Sequence, residues 1–117
     1  MLSMTKKAIA TEKAPAALGP YSQAISVNGT VYVSGQLPID PATGEFATTD
    51  IQGQTRQSLT NIQAILAEAG LDMSNVVKTT VLLDNIDDFA AMNEVYAEFF
   101  TGVTPARAAF EVAAVPK

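Results

Sequence analysis

The residue pattern predicts an α+β domain with element order β-β-β-α-β-α-β, a mixed sheet with two helices packed on one face. Three observations predict it. Residues 48–70 and 87–100 space their apolar positions by three and four, the helical period. Short segments rich in β-branched residues stand before, between and after them. Turn residues fall at the junctions, at Gly19-Pro20, Asn28-Gly29, 38–44, Gly70, Asn85 and 102–105.

Residues 6–10 read as a short first strand. Residues 22–27 and 31–36 flank Asn28-Gly29-Thr30, a hairpin signal because Asn-Gly accepts positive φ at little cost. Thr48-Thr49-Asp50 supplies N-cap oxygens, and Gly70 a stop, for a helix of about five turns. Its apolar stripe is Ile51, Thr55, Leu59, Ile62, Leu66 and Ala69, which turns Gln54, Arg56, Gln57, Asn61 and Glu68 mostly outward. Residues 76–83 are dense in β-branched side chains and read as a central strand. Asp87 caps a second helix that runs through Phe100, with Phe89, Met92, Tyr96 and Phe99 on one face. Asp84, Asp87 and Asp88 form a capping cluster with no metal-ligand logic. Residues 106–114 are the last strand. Residues 76–83 are apolar on both alternations, so the second sheet face also needs cover, and other copies of the chain are the simplest source.

The 117 residues suffice for one domain, 1–117. The apolar fraction is 48% and the charged fraction 16%, well below the usual quarter or so. A surface so poor in charge points to self-association. Net charge is −5 with no basic run, so nucleic acid has no electrostatic footprint to bind. The chain has no cysteine and no histidine. Disulfides, thiolate nucleophiles and imidazole acid–base chemistry are excluded, and zinc sites too unless another chain supplies ligands. No cofactor and no metal are expected. Residues 1–10 contain no signal-peptide core, and no window approaches the 18 or so apolar residues of a membrane span. A cytoplasmic protein with no membrane partner is the expectation.

Arg107 opens the otherwise uncharged apolar run Ala108-Ala109-Phe110. Its planar fork suits bidentate carboxylate binding. Taken alone, a structural ion pair or a snorkelling side chain is the plainer reading. The remaining motifs reverse that order. They are Gly19-Pro20-Tyr21-Ser22-Gln23-Ala24, Val33-Ser34-Gly35-Gln36, Arg56-Gln57-Ser58-Leu59 with Asn61-Ile62, Val77-Lys78-Thr79-Thr80-Val81, Phe89 to Tyr96 with Asn93, and Pro105-Ala106-Arg107 followed by Glu111-Val112-Ala113. Together, in this order and from end to end, they resemble the RidA/YjgF family of reactive-intermediate imine/enamine deaminases.

The resemblance implies a chorismate-mutase-like fold and a homotrimer with its sheets inward and three clefts between subunits. It implies hydrolysis of 2-iminobutanoate and 2-iminopropanoate (or the enamine 2-aminoacrylate) to 2-oxo acids and ammonia. Arg107 would hold the substrate carboxylate. Tyr21 would donate a hydrogen bond or wall the cleft, against the plain reading of a Tyr packed at a strand start. The Ser34 hydroxyl and the Gly35 amide would contact the ligand, against a strand-end bulge. Asn93 sits on an apolar seam and needs a partner, either backbone or the cleft. Ala109 stands where many relatives carry cysteine, and its backbone carbonyl would face the attacking water. Glu111 reads as structural. Relatives usually continue past Val115-Pro116-Lys117 with a strand bearing a glutamate, so a C-terminal strand is read as missing or truncated. Two other readings stand beside the deaminase: a non-catalytic trimeric small-carboxylate binder, and a ribonuclease or translation inhibitor.

Overall fold

A computed structural model describes residues 5–116; Lys117, where the family pattern would continue, lies outside them. Its strands are β1 (Lys7–Ile9), β2 (Ala24–Val27), β3 (Thr30–Val33), β4 (Lys78–Leu83) and β5 (Ala106–Glu111), and its helices α1 (Ile51–Glu68) and α2 (Phe89–Phe99). The order matches the sequence reading. Antiparallel and parallel pairing both occur, divided between two ladders: β1-β2-β3 is antiparallel and β4-β5 parallel.

Local chemistry accounts for most boundaries. Asn28 and Gly29 both take positive φ, 52° and 79°, as the tight β2–β3 turn requires. The Asp50 side chain caps α1 by accepting from the Gly53 amide at 2.9 Å. Gly53 sits under that cap, where a Cβ would collide with the Thr48 methyl. At the other end the Leu71 amide bonds the Leu66 carbonyl at 2.8 Å and Gly70 turns at φ 77°, a Schellman closure.

The core joins the layers. Leu59 and Leu66 of α1, Leu83 of β4, and Met92 and Tyr96 of α2 pack with Met73 and Phe100, and Val33 and Val81 lie against them. A second cluster packs Ile65 against Ile9, Ala14 and Ala24, which seats the antiparallel ladder on α1. On the other sheet face Tyr32, Leu82 and Phe110 are more than half exposed. The register pairs Leu82 with Phe110, so the parallel ladder presents an open apolar surface there.

Several expectations need correction. Asn61 does not face outward; it is fully buried, and its Nδ2 donates to the carbonyls of Leu37 and Ile39 at 3.2 and 2.9 Å. Gln57 Nε2 donates to its Oδ1 at 2.8 Å, so every polar atom of the amide is used. Burial is tolerable because the partners are complete. Ile65, absent from the predicted stripe, is also fully buried. Asp87 does not cap α2. A short 3-10 turn, Ile86–Asp88, precedes it, and Asn85 caps that turn through the Asp87 amide. Glu111 accepts from the Ile86 amide at 2.9 Å, the structural role the sequence assigns it. The last strand stops at Glu111, and residues 22–23 and 34–36 lie outside the strands they were expected to extend. No helix of the described residues is long and apolar enough to cross a membrane.

Candidate functional site

The backbone of β5 shows how Arg107 is presented. The Ala106 amide donates to Val77 at 3.0 Å and the Val112 amide to Leu83 at 2.9 Å. Alternation along a parallel ladder then turns residues 106, 108, 110 and 112 toward β4. The amides and carbonyls of Arg107, Ala109 and Glu111 point to the open edge of the strand. The sheet order places nothing beyond β5 among the described residues.

The Arg107 side chain rises to α2. Three α2 residues meet it, spaced by four and three so that they share one helix face. Its guanidinium lies 5.3 Å from the Phe89 ring centroid and 4.8 Å from that of Tyr96. Its Nη1 donates to Asn93 Oδ1 at 2.6 Å. The Tyr96 hydroxyl is 2.7 Å from the Thr79 hydroxyl, and Thr79 is the β4 register partner of Arg107. The seam residue Asn93 thus finds its partner in the candidate anchor, an alternative to the backbone and cleft partners weighed from sequence.

The chain has two arginines, and they are treated oppositely. Arg56 is neutralised: both its terminal nitrogens bond the two oxygens of Glu98, at 3.0 and 3.1 Å. That hydrogen-bonded pairing holds the Glu98 carboxyl below its ordinary range and pushes the Arg56 guanidinium up. Arg107 is held only by neutral groups, an amide and two aromatic faces. No carboxylate pairs with it among the described residues. It is oriented and left charged.

The second group of candidates flanks the antiparallel ladder, just before β2 and just after β3. Tyr21 closes a tight turn in which its amide bonds the Gly19 carbonyl at 2.8 Å across Pro20. Tyr21 is 55% exposed. The Ser34 hydroxyl donates to the Ser22 carbonyl at 2.6 Å and the Ser34 amide to the Gln23 carbonyl at 3.0 Å, which ties it to the Tyr21 segment. Gly35 has no atom within 4 Å of where a Cβ would stand and no positive φ, so nothing inside the chain demands a glycine. No hydrogen bond, ion pair or ring contact links Tyr21, Ser34 or Gly35 to Arg107 in the described residues. The candidates form two groups: Arg107 and Ala109 on β5 with Asn93 on α2, and Tyr21, Ser34 and Gly35 in the segments just before β2 and just after β3.

Gln23 is not among the site residues the sequence singles out, yet it ties the 11–15 segment to the start of β2. It is 4% exposed. Its Nε2 donates to the carbonyls of Thr11, Ala14 and Pro15 at 3.1, 3.3 and 2.7 Å, and its Oε1 accepts from the Thr11 amide at 2.7 Å. A polar residue immediately before an otherwise half-buried strand is the available signal. A cavity of about 380 Å³ lined by Arg56, Gln63, Asp72, Met73 and Val103 contains none of the six candidates, and its charged walls are already paired internally.

Comparison with known proteins places the chain. The family model for Endoribonuclease L-PSP matches residues 11–117. The chain is 53% identical over 117 residues to a goat (Capra hircus) protein named 2-iminobutanoate/2-iminopropanoate deaminase, covering 100% of this chain and 85% of that one. Its fold superposes with TM-score 0.94, at 49% identity, on a Rid-family protein of unknown function from Yersinia pestis, covering 97% of this chain and 90% of the other. It superposes with TM-score 0.91, at 43% identity, on Escherichia coli TdcF with bound serine, covering 95% and 89%. Shared motifs, shared fold and half of all residues in common from end to end establish that the chain belongs to the RidA/YjgF family.

Proposed function

We propose that this protein hydrolyses short 2-imino acids, 2-iminobutanoate and 2-iminopropanoate with their enamine tautomers, to 2-oxo acids and ammonia. The observation that carries the reading is Arg107, an oriented arginine on an open strand edge with no carboxylate of its own. The goat relative's name supports the reaction class, and the serine in TdcF supports a small amino-acid-like ligand in this fold.

The site works as a homotrimer with clefts between subunits. Support comes from the lack of any hydrogen bond, ion pair or ring contact joining the two candidate groups among the described residues, and from the exposed Tyr32, Leu82 and Phe110 on the sheet. A second copy would bring Tyr21, Ser34 and Gly35 to the Arg107 edge. Small-molecule imino and oxo acids are then the partners, not nucleic acid.

The chemistry asks little of the protein. The substrate is a protonated imine, already electrophilic, and its carboxylate pairs with the Arg107 fork. An enamine first takes a proton at its β-carbon. Water oxygen attacks C2, and the C=N π electrons move to nitrogen. One water proton passes to that nitrogen and the C–N bond breaks; as the remaining hydroxyl proton leaves and is taken up by the departing ammonia, the C2=O bond forms and a 2-oxo acid and ammonium are released. The Ala109 carbonyl, turned to the open edge, would accept a hydrogen bond from the attacking water. The Tyr21 phenol, Ser34 hydroxyl and Gly35 amide would line the opposite wall. Positioning supplies most of the effect.

The test is the decay of 2-aminoacrylate generated in situ. Protein should shorten its lifetime, and Arg107→Ala should abolish the effect. An unchanged lifetime with wild-type protein refutes the deaminase. Binding of 2-oxobutanoate without turnover would favour the carboxylate binder instead. The ribonuclease reading has least support, since the chain carries seven Lys and Arg against twelve Asp and Glu and no histidine.

A further inference from the structure

We propose that α2 is the positioning element of the carboxylate site. Asn93 sets which edge of the Arg107 guanidinium meets the substrate and does not itself touch it. The inference rests on Arg107 being the carboxylate anchor.

A guanidinium offers five N–H donors in one plane, and a carboxylate can approach either its end or its Nε–Nη2 side. A free arginine samples both. Here Asn93 Oδ1 holds Nη1 at 2.6 Å. Phe89 and Tyr96 bracket the group at 5.3 and 4.8 Å. Tyr96 is itself fixed, with its hydroxyl 2.7 Å from Thr79 and its ring 4.6 Å from that of Phe100. Neither Nε nor Nη2 has a protein partner among the described residues. The Nε–Nη2 side is therefore the edge presented to ligand, and the substrate carboxylate binds there side-on.

The chemistry of the clamp fits this use. Asn93 could be replaced sterically by aspartate, which would bind the arginine more strongly. It would also consume the charge. An amide oxygen orients the group and leaves its full charge for the ligand. Arg56, held by Glu98, shows the alternative arrangement in the same chain.

Calorimetric titration with 2-oxobutanoate, alongside steady-state kinetics on imine generated in situ, tests the idea with four full-length proteins. Wild type binds. Arg107→Ala should lose binding. Asn93→Ala should weaken binding and raise KM by about tenfold, the loss of one hydrogen bond to a charged group, while kcat stays within about threefold. Asn93→Asp should lose most binding, with Tm equal to or above wild type, because the new carboxylate at Nη1 neutralises the charge the ligand needs. The clamp is overturned if Asn93→Asp binds 2-oxobutanoate normally, or if Asn93→Ala lowers kcat with KM and Kd unchanged, which would put Asn93 at the reacting atoms. Normal binding by Arg107→Ala would instead overturn the anchor itself, and the clamp with it.

Discussion

Replacing Arg107 by lysine separates the fork from the charge. The ammonium keeps one positive charge but gathers its three donors on a single atom. It cannot satisfy Asn93 and present two parallel N–H groups to a carboxylate. One of the two charge-assisted hydrogen bonds to substrate is lost, about 1.5–3 kcal/mol, and part of the stacking on Phe89 and Tyr96 goes too, about 0.5–1 kcal/mol at an exposed site. The sum, about 2–4 kcal/mol, lowers kcat/KM by roughly 30- to 700-fold. Folding should barely notice. Arg107 is exposed and makes a single hydrogen bond, so Tm should stay within about 3 °C of wild type. The assay is imine decay beside a thermal melt. A loss below about fivefold refutes the fork argument, and a collapsed Tm makes Arg107 structural and restores the plainer reading.

Gln23→Leu strips four hydrogen bonds from the 11–15 segment. It should cost about 3–5 kcal/mol and lower Tm by more than about 8 °C, with faster amide exchange at Thr11; an unchanged melt would show that water replaces the bonds. Asn61→Asp puts a carboxylate against the Leu37 and Ile39 carbonyls. It should lower Tm by more than about 10 °C at pH 8 and less at pH 5, where a carboxyl in that setting takes up a proton; equal losses at both pH values would contradict the assigned bonds. Wild-type stability should respond to acid alone. Asp50, Asp72 and Glu98 are all held below their ordinary range, chiefly by the hydroxyls of Thr48 and Ser74 and by Arg56 respectively. Each favours the fold while pH stays above its unfolded value near 4, and that contribution fades as pH falls through the lower folded value. With no histidine in the chain, Tm should be flat from about pH 5 to 8 and decline below about pH 4; a steep change between pH 6 and 7 would be inconsistent with this assignment.

Elements announced by periodicity or by turn chemistry are legible in the sequence. The Asn28-Gly29 hairpin, both helices, the Gly70 stop and the two C-terminal strands follow from spacing and from residues that accept unusual φ. Features that depend on one side chain reaching a distant loop are not. Asn61 reads as outward because its helical position is polar, and only carbonyls 22 and 24 residues away explain its burial. The start of α2 is misplaced from sequence because three acidic residues compete as caps, while Asn85 and Glu111 bind the amides there. The site is half legible. Phe89, Asn93 and Tyr96 share a seam by their spacing, yet nothing in the sequence says that Arg107 lies over it. That follows from the parallel β4–β5 register, which sets Arg107 beside Thr79 and so beneath Tyr96.

The same register explains why the proposed anchor and the proposed assembly face would not compete. On β5, Arg107 and Ala109 alternate with Ala106, Ala108 and Phe110, so helix-facing and open-face residues are separated by the pleat. Phe110 with its partner Leu82 forms the apolar face available to other copies, while Arg107 stays under α2. Strengthening the apolar face need not disturb the cation. The backbone edge is a third surface, carrying the Ala109 carbonyl and lying perpendicular to both. One six-residue strand thus points an exposed apolar face, an oriented charge and an open backbone edge in three directions.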